Sequence, residues 1–79
     1  MSKMHEEVVN VISDIVGNVD IGEKDYDTAL SDVGVDSLDT FNILLELEEK
    51  YGVDFPEEEV ESLNTVNLLV KFITDNHNQ

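Results

Sequence analysis

Asp36-Ser37-Leu38-Asp39-Thr40-Phe41-Asn42-Ile43-Leu44-Leu45-Glu46-Leu47-Glu48-Glu49-Lys50-Tyr51-Gly52 reads as one helix with both ends marked. Asp36 is a good N-cap, because its short carboxylate can accept from the free N–H groups of a first turn. Asp39 stands three residues on, where a capping-box acid sits, although Asp is shorter than the preferred Glu. Gly52 is a stop signal, since glycine tolerates the left-handed conformation that ends a helix. The spacing predicts a helix over 37–51. Its apolar residues are wider than one core stripe. Ile43, Leu44, Leu47 and Tyr51 share one face, and Leu38, Phe41 and Leu45 share an adjacent one. The second set can be core packing or an exposed contact surface. A helix in a small domain keeps part of such a stripe near solvent.

On the N-terminal side, Met4, Val8, Val11, Ile12, Ile15 and Val16 fall at helical spacing. Ser2 suits the N-cap, Glu6 and Glu7 suit the positive end of the helix dipole, and Gly17-Asn18 is a stop. Residues 17–36 then form a long connection interrupted by Gly22, Gly34 and five aspartates. Connections of this length are uncommon in compact domains and often functional. Leu30 and Val33 are expected to pin it to the core, with short helical turns between. On the C-terminal side, Val53-Asp54-Phe55 is extended. Pro56 opens a short helix at its tolerated first position, running to about Ser62. Asn64 or Thr65 caps a last helix to about Thr74, with Val66, Leu69, Val70 and Ile73 inward. Residues 75–79 form a polar tail expected to fray. No segment shows strand alternation, and there is no repeat. The pattern is all-α in a single domain over 1–79.

Composition narrows the function. The 79 residues contain 19 acids, four lysines and no arginine, for a net charge of −15. Nucleic acid is a poor partner, because phosphate is recognised by Lys and Arg. Anionic membrane surfaces are disfavoured for the same reason. Basic protein surfaces and divalent cations are favoured. The absence of cysteine excludes disulfides, thiolate metal sites and thiol catalysis by the chain itself. The N-terminus has no signal-peptide pattern, and no apolar run approaches a membrane span, so a soluble cytoplasmic protein is expected; a monomer is expected as well. His5 and His77 are expected to be exposed and inert, which leaves a Ser–His–Asp triad without a base and a histidine metal site without ligands. An EF-hand reading from Asp25 fails at Ala29 and Leu30, which stand where an oxygen ligand and a glycine are needed. No metal site and no catalytic residue is therefore expected. One serine stands out. Ser37 follows Asp36 at the start of the central helix and at the end of the long loop. A phosphate there would meet the unpaired N–H groups of a helix N-terminus. By itself, Ser37 also reads simply as a first-turn residue of a capped helix.

Asp32-Val33-Gly34-Val35-Asp36-Ser37-Leu38-Asp39-Thr40 resembles the modification motif of acyl carrier proteins. The resemblance continues through Leu47-Glu48-Glu49-Lys50-Tyr51-Gly52, Phe55-Pro56-Glu57-Glu58-Glu59 and Asn64-Thr65-Val66, covering roughly residues 4 to 75. It implies an antiparallel four-helix bundle with a long first loop and a short third helix, and a carrier that is not an enzyme. It implies that a phosphopantetheinyl transferase moves 4′-phosphopantetheine from coenzyme A onto Ser37. The thiol of that arm would then hold acyl groups as thioesters, which lets a cysteine-free chain take part in thioester chemistry. It further implies docking on basic patches of acyl-transfer and chain-elongation enzymes. The matching acids are Asp36, Asp39, Glu48 and Glu49, with Leu38, Phe41 and Leu45 as apolar contacts.

Several residues depart from the family pattern. Asn42 replaces a usual acid, Phe41 is bulkier than usual, Ala29 stands where a large loop anchor is common, and Val33 replaces Leu. Fatty-acid synthesis is the first reading, with a specialised carrier for polyketide, lipid-modification or other acyl products as the alternative. A reading of another class is a small acidic helical module that binds a basic surface without any cofactor.

The charge has a consequence for folding whichever reading holds. Like charges repel more strongly in the compact state than in the unfolded chain. The screening length falls from about 30 Å at 0.01 M salt to about 10 Å at 0.1 M. The melting temperature is expected to rise with sodium chloride over that span, and further with millimolar calcium or magnesium. A flat or falling series in thermal melts would show that repulsion does not limit this fold.

Overall fold

A computed structural model describes residues 3–17 and 19–76 of the chain. Three α-helices are present, α1 (Lys3–Val16), α2 (Ser37–Tyr51) and α3 (Val66–Asn76). A short fourth helical element, the 3-10 segment Glu57–Ser62, lies between α2 and α3. The described residues contain no strand. The expected all-α layout with a long first loop and a short third helix is therefore present. The predicted N-cap Ser2 lies outside the described residues, as do Asn18, His77 and the last two residues of the tail.

The helices bury the faces that their spacing predicts. Val8, Ile12, Ile43, Leu47, Val66, Leu69 and Ile73 are fully buried and meet in one core. Each such side chain contributes roughly 1.5–3 kcal/mol by leaving water. Gly17 closes α1 at φ +91°, with its N–H donated to the Ser13 carbonyl at 2.9 Å. Gly52 closes α2 in the same left-handed conformation, with its N–H on the Glu48 carbonyl at 2.8 Å.

The first loop packs on the core through Leu30 and Val33 as expected, with Val35 as a further and deeper anchor. Leu30 and Val35 are buried, and Val33 is half-buried. The cause is the turn at Gly34, whose φ of +100° folds the chain back so that Val35 N donates to the Leu30 carbonyl at 3.0 Å. Glycine adopts that conformation without the steric cost of a Cβ. Leu30 N in turn donates to the Asn64 carbonyl at 2.9 Å. Short 3-10 turns at Glu23–Asp25 and Leu30–Val33 satisfy much of the intervening backbone.

The chain corrects three expectations. Pro56 stands at the N-cap with ψ 139°, one residue before the 3-10 segment instead of inside it. Thr65 caps α3, its Oγ1 accepting from Leu68 N at 3.1 Å, and the helix continues past Thr74 to Asn76. The last turn, where Lys71 pairs with Asp75 at 3.1 Å, thus reaches into the segment expected to fray. His5 is half-buried and engaged. Its ring stacks on Tyr26 with centroids 4.9 Å apart, and its Nε2 lies 2.8 Å from Asn67 Oδ1. Asn67 Nδ2 donates to Asp27 Oδ1 at 2.6 Å, so Oδ1 is the acceptor and His5 Nε2 carries the proton. Asn67 N also donates to the Tyr26 carbonyl at 3.0 Å. One asparagine thus joins the starts of α1 and α3 to the middle of the loop.

The Tyr51 hydroxyl, on the last residue of α2, donates to Glu7 Oε1 near the start of α1. That pairing sets α2 against α1, while the His5–Asn67 contact brings the starts of α1 and α3 to the same end. Burial, and after it the neighbouring Glu7 carboxylate, pushes the Tyr51 hydroxyl above its ordinary value of 10. The fold therefore favours neutral Tyr51. Its contribution is complete below about pH 10 and is lost as pH rises beyond that. Tyr51→Phe is expected to cost about 1–2 kcal/mol at neutral pH, by leaving Glu7 without its donor. It should also flatten the alkaline loss of stability, which urea melts between pH 7 and 11 would read.

Candidate functional site

Ser37 is the first residue of α2, and its position is set from both sides. Before it, the chain leaves the core at Val35, which is 2% exposed, and reaches solvent at Asp36. Asp36 is extended, with φ −90° and ψ 179°, and its Oδ1 accepts from Asp39 N at 2.8 Å. The predicted cap is therefore made. The Asp36 carbonyl accepts from Thr40 N at 2.9 Å and from Thr40 Oγ1 at 3.0 Å. The neighbouring hydroxyl is thus turned into the helix, while Ser37 is exposed.

A cleft of about 340 Å³ opens beside Ser37, between α2 and the 3-10 segment. Thr40 and Phe41 line it from α2, and Val60, Glu61 and Asn64 from the opposite side. The last three are more than twenty residues from Ser37, and no local pattern in the sequence marks them as its neighbours. A second cleft of about 280 Å³ lies on the far side of the 3-10 segment, with Leu68, Lys71 and Phe72 of α3 in its wall.

The outward face of α2 divides into two rows. Leu38, Phe41 and Leu45 form the first, at 69%, 58% and 46% exposure, so this stripe is surface and not core. Asp39, Asn42, Glu46 and Glu49 form the second, at the spacing i, i+3, i+7, i+10 that keeps residues on one side of a helix. Asp39 is half-buried by its place in the first turn, and the other three are exposed. Glu48 continues the line of the first row but is not part of its exposed stripe. It is half-buried, and its Oε2 accepts from Phe55 N at 2.8 Å, closing the turn after α2. Glu57, Glu58 and Glu59 are solvated on the 3-10 segment. Among the described residues, no three His, Asp or Glu side chains converge on a metal site. No described helix is long and apolar enough to cross a membrane.

An exposed hydroxyl at a capped helix start, next to an open cleft, is a place where a large group can be attached without disturbing the core. The N–H groups of the first turn favour an anionic link there, and the Asp36 carboxylate is turned back onto one of them. Residues 6–73 match a protein-family model described as a phosphopantetheine attachment site.

The cap is the local feature on which the serine's position rests. Asp36→Ala is expected to lower the unfolding free energy by about 1 kcal/mol, while Asp36→Asn should retain most of it. Denaturant melts of the two variants would check this, and equal losses in both would show that the side-chain cap is not what holds the first turn.

Proposed function

The chain belongs to the phosphopantetheine attachment family, and we propose that it is a stand-alone acyl carrier whose 4′-phosphopantetheine is borne on Ser37. The observation that carries this reading is the exposed serine at the capped start of α2, behind the Asp32–Asp36 turn and beside the open cleft. A phosphopantetheinyl transferase presents coenzyme A to this end of the helix. Ser37 Oγ bonds to the phosphorus nearest the pantetheine, the pyrophosphate bond of coenzyme A breaks, the nucleotide half leaves, and the serine proton passes to a base on the transferase. The group supplies the thiol that this cysteine-free chain lacks, and acyl intermediates are held on it as thioesters. The chain itself holds the arm clear of the core and presents it. It catalyses no step.

The partners are the transferase and the acyl-transfer and chain-elongation enzymes, met through α2. The net charge of −15 speeds encounter with basic patches, and exposed, screened contacts let each partner leave again. Asp36, Leu38, Asp39, Phe41, Leu45 and Glu49 supply the contact. We place the protein in the cytoplasm, in fatty-acid synthesis. Phe41 and Asn42 on the exposed face favour a second reading, a carrier devoted to another acyl product with its own partner set.

Ser37→Ala tests the reading directly. The variant should keep the helical circular dichroism of the parent and gain no mass when incubated with coenzyme A and a broad-specificity transferase, whereas the parent gains the arm. An alanine variant that still acquires the prosthetic mass would sink the assignment.

A further inference from the structure

The two rows on α2 differ in chemistry, and their exposed charges do not coincide fully with those that the family resemblance implies. Glu48 lies in line with the apolar row but is half-buried and bonded to Phe55 N. Glu46 is exposed, and it lies two turns beyond Asp39 and one turn short of Glu49. We propose that Glu46 is a specificity-determining residue of this carrier, and that the docking charges are Asp39, Glu46 and Glu49, with Glu48 reserved for the fold. The inference rests on the reading of Ser37 as the attachment residue.

The partner surface that fits is an enzyme face with an apolar furrow and a parallel basic row. The furrow receives Leu38, Phe41 and Leu45, which stand at 69%, 58% and 46% exposure. Phe41 also forms one wall of the cleft beside Ser37, so a partner seated in this furrow is held next to the attachment point. The acidic row that such a partner meets is interrupted. Asn42 leaves a neutral gap between Asp39 and Glu46, which are about 10 Å apart at the helical rise of ~1.5 Å per residue. Glu46 and Glu49 lie about 13 and 18 Å along the helix from Ser37 on the same measure. A partner with its basic residues clustered close to the serine meets Asp39 alone of this row, beside the capping carboxylate of Asp36. One with arginines or lysines farther along the helix meets all three. The surrounding charge supports this choice of occupant, because 10 of the 19 acids fall between Asp36 and Glu61, with Lys50 the only base among them.

The test uses the full chain, coenzyme A and a broad-specificity phosphopantetheinyl transferase, with the initial rate of mass gain as readout. Glu46→Gln and Glu48→Gln each remove one charge and keep a side-chain oxygen, so the Phe55 clamp survives in the second. Glu46→Gln is expected to lower kcat/KM about threefold or more in about 20 mM salt, with the difference nearly gone at about 0.5 M. Glu48→Gln should stay within about twofold of the parent at both salts, since its charge faces the fold and not the partner. Phe41→Ala should raise KM by a factor that salt does not change. Circular dichroism confirms that each variant is folded under assay. An unchanged rate for Glu46→Gln at low salt, or an equal salt-dependent loss for Glu48→Gln, overturns the inference while leaving Ser37 as the attachment residue. A parent chain that gains no mass overturns the attachment reading and this inference with it.

Discussion

Apolar burial has to outweigh electrostatic self-repulsion in this molecule, and every other feature depends on that balance. A body with a radius of gyration of 11.3 Å carries a net charge of −15. Its cohesion comes from one core, in which side chains of α1, α2 and α3 meet residues from both long connections. Little of the charge is neutralised internally. Among the described residues the ion pair Lys71–Asp75 is exposed and of the kind that contributes little. The charge is therefore available to act outward.

A few polar contacts then turn a packed core into a defined site. Asp36 caps α2, Gly34 folds the loop so that Val35 is buried two residues before Ser37, and Leu30 ties that turn to the Asn64 carbonyl. Asn67 binds the middle of the loop and the start of α1 through His5, Asp27 and Tyr26. These bonds matter because a connection of this length would otherwise leave the start of α2 loosely placed. Each is worth only about 1 kcal/mol net, but together they fix where the serine emerges.

The same economy governs the outward face of α2. A carrier must bind several enzymes briefly, which calls for exposed apolar area without a permanent partner and for charge that works at a distance. Leu38, Phe41 and Leu45 are exposed and acids lie along the adjacent row, which suits the docking role proposed for this face. Glu48 shows that acidity alone does not define such a row. Its carboxylate closes a turn, and its charge is partly withdrawn from solvent.

Three helices, the Asp36 cap, the glycine stops and the inward faces were legible in the residues themselves, because each is written in local chemistry, whereas the role proposed for Ser37 came from the family resemblance. Helical periodicity, a capping aspartate and a terminal glycine act within a few residues of one another. Sequence alone did not distinguish Val33 from Val35 as the loop's deeper anchor, reveal that His5 is engaged, or separate Glu46 from Glu48. The first two were decided by contacts between residues far apart in the chain, and Glu48 differs from Glu46 through the turn that brings Phe55 N back to its carboxylate. Val35 is buried because Gly34 reverses the backbone toward a core made by other helices. His5 is held because Asn67, 62 positions away, faces it across the bundle. The cleft beside Ser37 exists because the segment after Pro56 returns to lie along α2. Local propensity cannot encode such meetings, since burial is settled only when separate faces exclude water together.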